Sequence, residues 1–185
     1  MMRVDGGLMV MFFKETNIAG GVDVEISGNR VKVSGPRGTI EKTFIIDKDM
    51  KIEKVENKVR VSSEGEKRTS KALVGTIAAH IRNMVDGVTK GFTYRLRVIY
   101  SHFPVTVKVD KDKVLIQNFL GERTARIAKI VGKTEVKVEG SDIVLTGIDV
   151  DEVSQTAGNI ELAARIVGYD RKVFQDGIYL VSREG

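Results

Sequence analysis

Apolar residues alternate with polar ones at Val22, Val24 and Ile26, and the alternation restarts at Val31 and Val33 after Ser27-Gly28-Asn29. It restarts once more beyond Gly35-Pro36-Arg37-Gly38, so the spacing predicts short hairpin strands joined by tight turns. Further strand-like runs cover 39–46, 51–55 and 58–62, with Glu56-Asn57 as the turn between the last two. The period then changes. Leu73, Ile77, Ile81, Met84 and Val88 recur at steps of four, four, three and four, one face of a helix over about 66–88. The same order follows in the second half, with strands predicted at 92–100, 105–109, 114–117, 123–130, 135–139 and 143–146. A second helix is marked by Val153, Ala157, Ile160, Ala164 and Val167. Asp149, Asp151 and Glu152 stand at its start, where carboxylates meet free backbone N–H groups and the positive end of the helix dipole.

The two halves also align residue against residue. Asn29-Arg-Val-Lys-Val33 matches Asp112-Lys-Val-Leu-Ile116, and Gly38 matches Gly121, Gly75 Gly158, Ile77 Ile160 and Arg82 Arg165, each 83 residues apart. Two unrelated units could agree by chance at generic positions, but one offset held across a hairpin, a turn and a helix argues for internal duplication. The predicted fold class is α+β: two tandem duplicated domains at 12–90 and 91–185, each an antiparallel or mixed sheet packed by one helix. Residues 1–11 are set apart as an N-terminal extension of uncertain role, with Met9 and Met11 as alternative starts.

Composition narrows the function. With no cysteine, a disulfide framework, thiolate metal ligands and a cysteine nucleophile are excluded together, and the cytoplasm is the default expectation. The apolar run 8–13 is far shorter than the roughly 20 residues of a membrane span, and neither a membrane partner nor a signal peptide is expected. The net charge of +5 leans towards anionic partners, but 30 cations against 25 anions is a mild excess, so local clustering decides.

No catalytic constellation emerges. The chain has two histidines, His80 inside the first helix next to core-facing Ile81, and His102 before a proline, and neither has a metal-motif partner. Gly132-Lys133-Thr134 resembles the end of a phosphate loop, but Ile127 occupies the position where that loop requires glycine. Gly35-Pro36-Arg37-Gly38 mimics a GXXG clamp, yet it joins strands rather than helices. The carboxylate pairs Asp47 with Asp49 and Asp110 with Asp112 suit turns. The expectation is a protein that is not an enzyme and takes no cofactor, metal or small-molecule substrate.

Binding chemistry is better represented. Arg95 and Arg97 alternate with Tyr94, Leu96, Val98 and Tyr100, which gives one strand an apolar face and a guanidinium face. Arg123, Arg126, Lys129 and Lys133 form a second basic stretch. After the last helix, Tyr169, Phe174 and Tyr179 interleave with Arg171, Lys172 and Arg183, a mixture in which rings can stack on bases while cations hold phosphates. The rival reading is a protein-interaction module, in which the cations only solubilise. Steep salt dependence would separate the two.

Four stretches carry a resemblance: Tyr100-Ser-His-Phe-Pro-Val105, Ile116-Gln-Asn-Phe-Leu-Gly-Glu122, Gly147-Ile-Asp with Val153-Ser-Gln-Thr-Ala157, and Asp170-Arg-Lys-Val-Phe-Gln-Asp-Gly-Ile-Tyr179. Over residues 21–183 the chain resembles the sixth protein of the large ribosomal subunit in its archaeal and eukaryotic form. That resemblance implies a structural constituent of the cytoplasmic ribosome that binds large-subunit rRNA near the sarcin-ricin loop and the stalk base, beside neighbouring ribosomal proteins, where translation factors dock. It also implies that the second half is the main rRNA-binding half. The contacts it implies are Ser101, His102, Phe103 and Pro104, and Tyr169 with Arg171, Lys172, Phe174, Gln175, Asp176, Gly177 and Tyr179. The first ten residues do not fit the family pattern, and the basic, proline-containing tail of bacterial members is not found after Arg183.

Overall fold

A computed structural model describes residues 12–65, 67–170 and 172–185, so the N-terminal extension and Arg171 lie outside the described residues. The chain divides into two compact units, the first ending at Lys90 and the second running from Gly91 to Gly185.

In the first unit, β1 (Phe12–Asn17), β2 (Asp23–Ser27), β3 (Arg30–Gly35), β4 (Gly38–Thr43), β5 (Met50–Val55) and β6 (Lys58–Ser63) precede the helix α1 (Arg68–Thr89). The strands form two antiparallel sheets, β2-β3-β4 and β1-β6-β5, both in contact with α1. Alternation does the work locally: Val31 and Val33 of β3, and Val59 and Val61 of β6, point inward and are buried against Val74, Ile77 and Ile81. The turn after β3 is tight because its glycine faces the helix: a Cβ on Gly35 would lie 2.6 Å from Val88. The Arg37 N–H donates to the Val88 carbonyl at 3.1 Å, so this turn caps the end of α1.

The second unit repeats the plan with β7 (Phe92–Ile99), β8 (Thr106–Asp110), β9 (Lys113–Gln117), β10 (Arg126–Lys129), β11 (Glu135–Glu139), β12 (Asp142–Gly147) and α2 (Val150–Ala163). A last strand, β13 (Gly177–Glu184), has no counterpart in the first unit and pairs with β7, giving sheets β10-β9-β8 and β11-β12-β7-β13. Every described strand pair is antiparallel, and the fold is α+β with two sheets, not one, around each helix.

The duplication is visible in the hydrogen-bond register. Val24 pairs with Val33 and Val107 with Ile116, both partners displaced by 83 residues. On the helices, Ser70, Val74, Ile77 and Ile81 are buried, and so are Val153, Ala157, Ile160 and Ala164 at the same offset. The match of Gly38 with Gly121 stops at the sequence: Gly38 closes a tight hairpin, whereas Gly121 lies in the longer connection between β9 and β10, at φ +76° as the last residue of a short 3-10 turn.

Four elements differ from the sequence expectation. Strand β1 was hidden because Phe-Phe-Lys-Glu-Thr-Asn does not alternate, and its extended form comes from pairing with β6. The strand expected from 123 begins only at Arg126. Helix α2 stops before Val167, which is 75% exposed, because the Arg126 guanidinium bonds the carbonyls of Ala163 and Arg165 at 3.0 and 2.8 Å. The final segment, read only as a binding stretch, ends in β13 and completes a sheet.

Candidate nucleic-acid interface

Three connections of the second unit meet at one end of it: the loop 100–105 between β7 and β8, the connection 118–125 between β9 and β10, and the segment 164–176 between α2 and β13. Asp176 holds the first to the third. It is 1% exposed, and its Oδ1 accepts hydrogen bonds from the Ser101 N–H at 3.1 Å and the Ser101 hydroxyl at 2.9 Å. The same oxygen lies 3.2 Å from His102 Nδ1, and Oδ2 accepts from the His102 N–H at 3.4 Å. Burial pushes this carboxyl up, but the hydrogen bonds from His102 and Ser101 outweigh burial and hold it below the usual aspartate value. Serine, histidine and aspartate are thus adjacent without forming a nucleophilic triad: Ser101 donates to the carboxylate itself, and no base takes its proton.

The rings follow from that anchor. His102 stacks on Phe174 with centroids 4.3 Å apart, and Tyr169 leans on the same Phe174 ring at 4.8 Å. Phe103 lies over Gly121, where an added Cβ would sit 3.4 Å from its ring, and Asn118 donates to the Pro104 carbonyl at 2.9 Å. Tyr169 and Phe103 stay about half exposed. The Tyr179 ring folds back over Gly177, whose Cβ position is 2.8 Å from it, and its hydroxyl donates to the Gln175 carbonyl at 3.2 Å. Sequence stretches some seventy residues apart therefore build one surface, with Ser101, His102, Phe103, Pro104, Tyr169, Phe174, Gln175, Gly177 and Tyr179 together and Asp176 beneath them.

The cations divide into two groups. Arg97 bonds both oxygens of Asp142 at 2.8 and 3.2 Å and Arg95 reaches the same carboxylate at 3.3 Å, so the predicted guanidinium face of β7 exists but is partly neutralised. The Arg97 hydrogen bond, with Arg95 beside it, lowers the Asp142 carboxyl. Tyr179 stands opposite Arg97 in the sheet register and ties this face to the loops. Arg183 packs over the Tyr94 ring at 5.6 Å. Arg126 is an internal strut: besides the α2 carbonyls it bonds Glu122 at 2.6 and 2.8 Å and covers the buried Phe119 ring at 4.3 Å. The Arg126 hydrogen bond lowers Glu122 in turn. Arg123, Lys129 and Lys172 are exposed and have no ion-pair partner among the described residues.

Sequence reasoning missed Asn118, Gly121, Glu122 and Asp142 as supports. Each supports a group on another strand or loop, so only the three-dimensional pairing reveals its role.

The sequence pattern of the family described as "Ribosomal protein L6" matches this chain twice, over residues 18–91 and 103–177. The large ribosomal subunit protein uL6 of Aeropyrum pernix is 52% identical over 164 residues, which covers 89% of this chain and 90% of that protein. The uL6 proteins of Sulfurisphaera tokodaii and Methanothrix thermoacetophila are each 49% identical, over 95% and 92% of this chain and 94% and 96% of their own lengths. One match per structural unit and near-complete coverage of archaeal relatives leave one conclusion: this chain belongs to the ribosomal protein L6 family.

Proposed function

We propose that this chain is a non-catalytic constituent of the large ribosomal subunit in the cytoplasm, and that the loop end of its second unit binds large-subunit rRNA near the sarcin-ricin loop and stalk base. There it supports the region where translation factors dock, with other ribosomal proteins of the stalk base as neighbours. The observation that carries this reading is the Asp176 anchor. It joins loop 100–105 to segment 164–176, so half-exposed rings and exposed cations stand on a held surface, not on free loops. Rings that can stack and cations that can reach phosphate are the two elements of RNA recognition outside regular duplex. Lys172 and Arg123 are the phosphate-directed cations of this surface, Arg95 and Arg97 contribute through the part of their charge that Asp142 leaves, Lys129 lies at the far end of β10 opposite Lys113, and Arg126 serves the fold.

The test is cosedimentation of the tagged chain with ribosomal subunits from an archaeal extract, followed by a high-salt wash and by binding to rRNA fragments. Retention on the large subunit, with fragment affinity that falls steeply with salt, is the expected result. Absence from large subunits, or binding indifferent to salt, would overturn the reading in favour of a protein-docking surface.

A further inference from the structure

The Asp176 anchor does more than hold a loop, because it dictates where the proton of His102 resides. A carboxylate surrounded by these donors and held below its usual value is ionised at neutral pH and offers only lone pairs. Its 3.2 Å contact with His102 Nδ1 therefore requires a proton on Nδ1. The neutral ring then carries its remaining lone pair on Nε2. Three contacts hold the ring in this orientation: Nδ1 on the carboxylate, one face stacked on Phe174 with ring planes 25° apart, and the Ser101 and His102 backbone N–H groups bonded to the same carboxylate. His102 is exposed, and no described protein group bonds Nε2.

Resting on the rRNA reading above, we propose that His102 Nε2 is a hydrogen-bond acceptor for a donor group on the RNA, a ribose 2′-hydroxyl or a base amino group. Phosphate oxygens are acceptors, so they find no donor at Nε2 of the neutral ring. The basic residues around it attract phosphate irrespective of sequence, whereas His102 reads a feature of the nucleotide itself. Asp176 is the positioning residue of this contact, buried beneath it and out of reach of RNA.

The experiment uses the full chain with ring-labelled histidine and the shortest large-subunit rRNA fragment that it retains. At pH 8, nitrogen NMR is expected to show His102 as the Nδ1–H tautomer. The fragment is then resynthesised with single 2′-deoxy nucleotides and, separately, with single bases that lack the amino group. The native chain is expected to lose about five-fold in affinity at one modified position, the size of a single hydrogen bond. His102→Phe, which keeps a ring to stack on Phe174, is expected to lose the same factor on unmodified RNA and to be indifferent to that modification. The salt dependence of binding should be unchanged by the substitution. A 2′-deoxy effect assigns the donor to the sugar, and an amino-deletion effect assigns it to the base. An Nε2–H tautomer in the native chain, full sensitivity of His102→Phe to every modification, or a salt slope reduced by about one would each overturn the proposal. Failure of the native chain to bind any fragment is the distinct outcome that would overturn the rRNA reading itself, and this proposal with it.

Discussion

The first and second units share a register, a helix face and an order of strands, yet their connections at corresponding places differ. Where the first unit closes β3 to β4 with a tight turn pressed on Val88, the second opens a longer connection with Phe119 buried beneath it. Where α1 continues for 22 residues and buries Met84, Val85 and Val88, α2 stops after 14, and Ile166 and Phe174 take over the packing. The half-exposed Phe103 and Tyr169 accompany the second arrangement. In the first unit Arg60 and Lys58 are spent on Glu15, at 2.6 and 3.3 Å, whereas in the second Lys172, Arg123 and Lys129 have no such partner among the described residues. Duplication supplied two copies of a scaffold. Replacing the end of one helix with a loop, an anchor and an extra strand gave one copy the surface proposed above to bind RNA.

The largest expected effect breaks this asymmetry by charge. Reversing Arg171 and Lys172 to Glu should raise the Kd for rRNA about 100-fold, while the same change at Lys48 and Lys51 in the first unit should stay within about two-fold, as read by filter binding at fixed salt. Equal losses would remove the distinction between the units. Next comes Asp176→Ala, which leaves four donors without their acceptor and should cost about 3 kcal/mol in urea unfolding at pH 7. The folded carboxyl lies below its ordinary value of 3.8, so this contribution is full above that value and is lost as pH falls through the folded one. The gap between native and variant should therefore narrow in acid below about pH 4. A constant gap would show that the carboxylate charge is irrelevant. Arg126→Ala should cost about 2 kcal/mol by taking the donor away from the Ala163 and Arg165 carbonyls, yet leave the salt slope of RNA binding unchanged. A shallower slope would make Arg126 a phosphate contact. Smallest of all, Lys54→Ala breaks an exposed pair with Asp23 and should leave both the unfolding midpoint and RNA affinity unchanged.

Much of this contrast was legible in the sequence, for identifiable reasons. Two-residue alternation exposed β2, β3 and β9, helical periodicity exposed both helices, and the constant offset exposed the repeat, since each is a local signal. Strand β1 and strand β13 were not legible. Both sit at sheet edges and owe their extended form to a partner distant in sequence, β6 in one case and β7 in the other. The site behaved likewise. Its rings and cations could be picked out by type, but the sequence gives no sign that Asp176 turns inward to serve loop 100–105, or that Arg126 turns inward to end a helix. A charged residue advertises its chemistry, and only its neighbours decide whether that chemistry faces solvent or the fold.

The absence of native cysteine makes the central claim directly measurable. A single cysteine at Tyr169 or Arg123 in the second unit, or at Glu56 or Lys48 in the first, can carry a tethered iron chelate that cleaves nearby RNA in reconstituted large subunits. Strong, localised cleavage of large-subunit rRNA from Tyr169 and Arg123, with weak cleavage from Glu56 and Lys48, is the predicted result. Cleavage as strong from the first unit as from the second would contradict it.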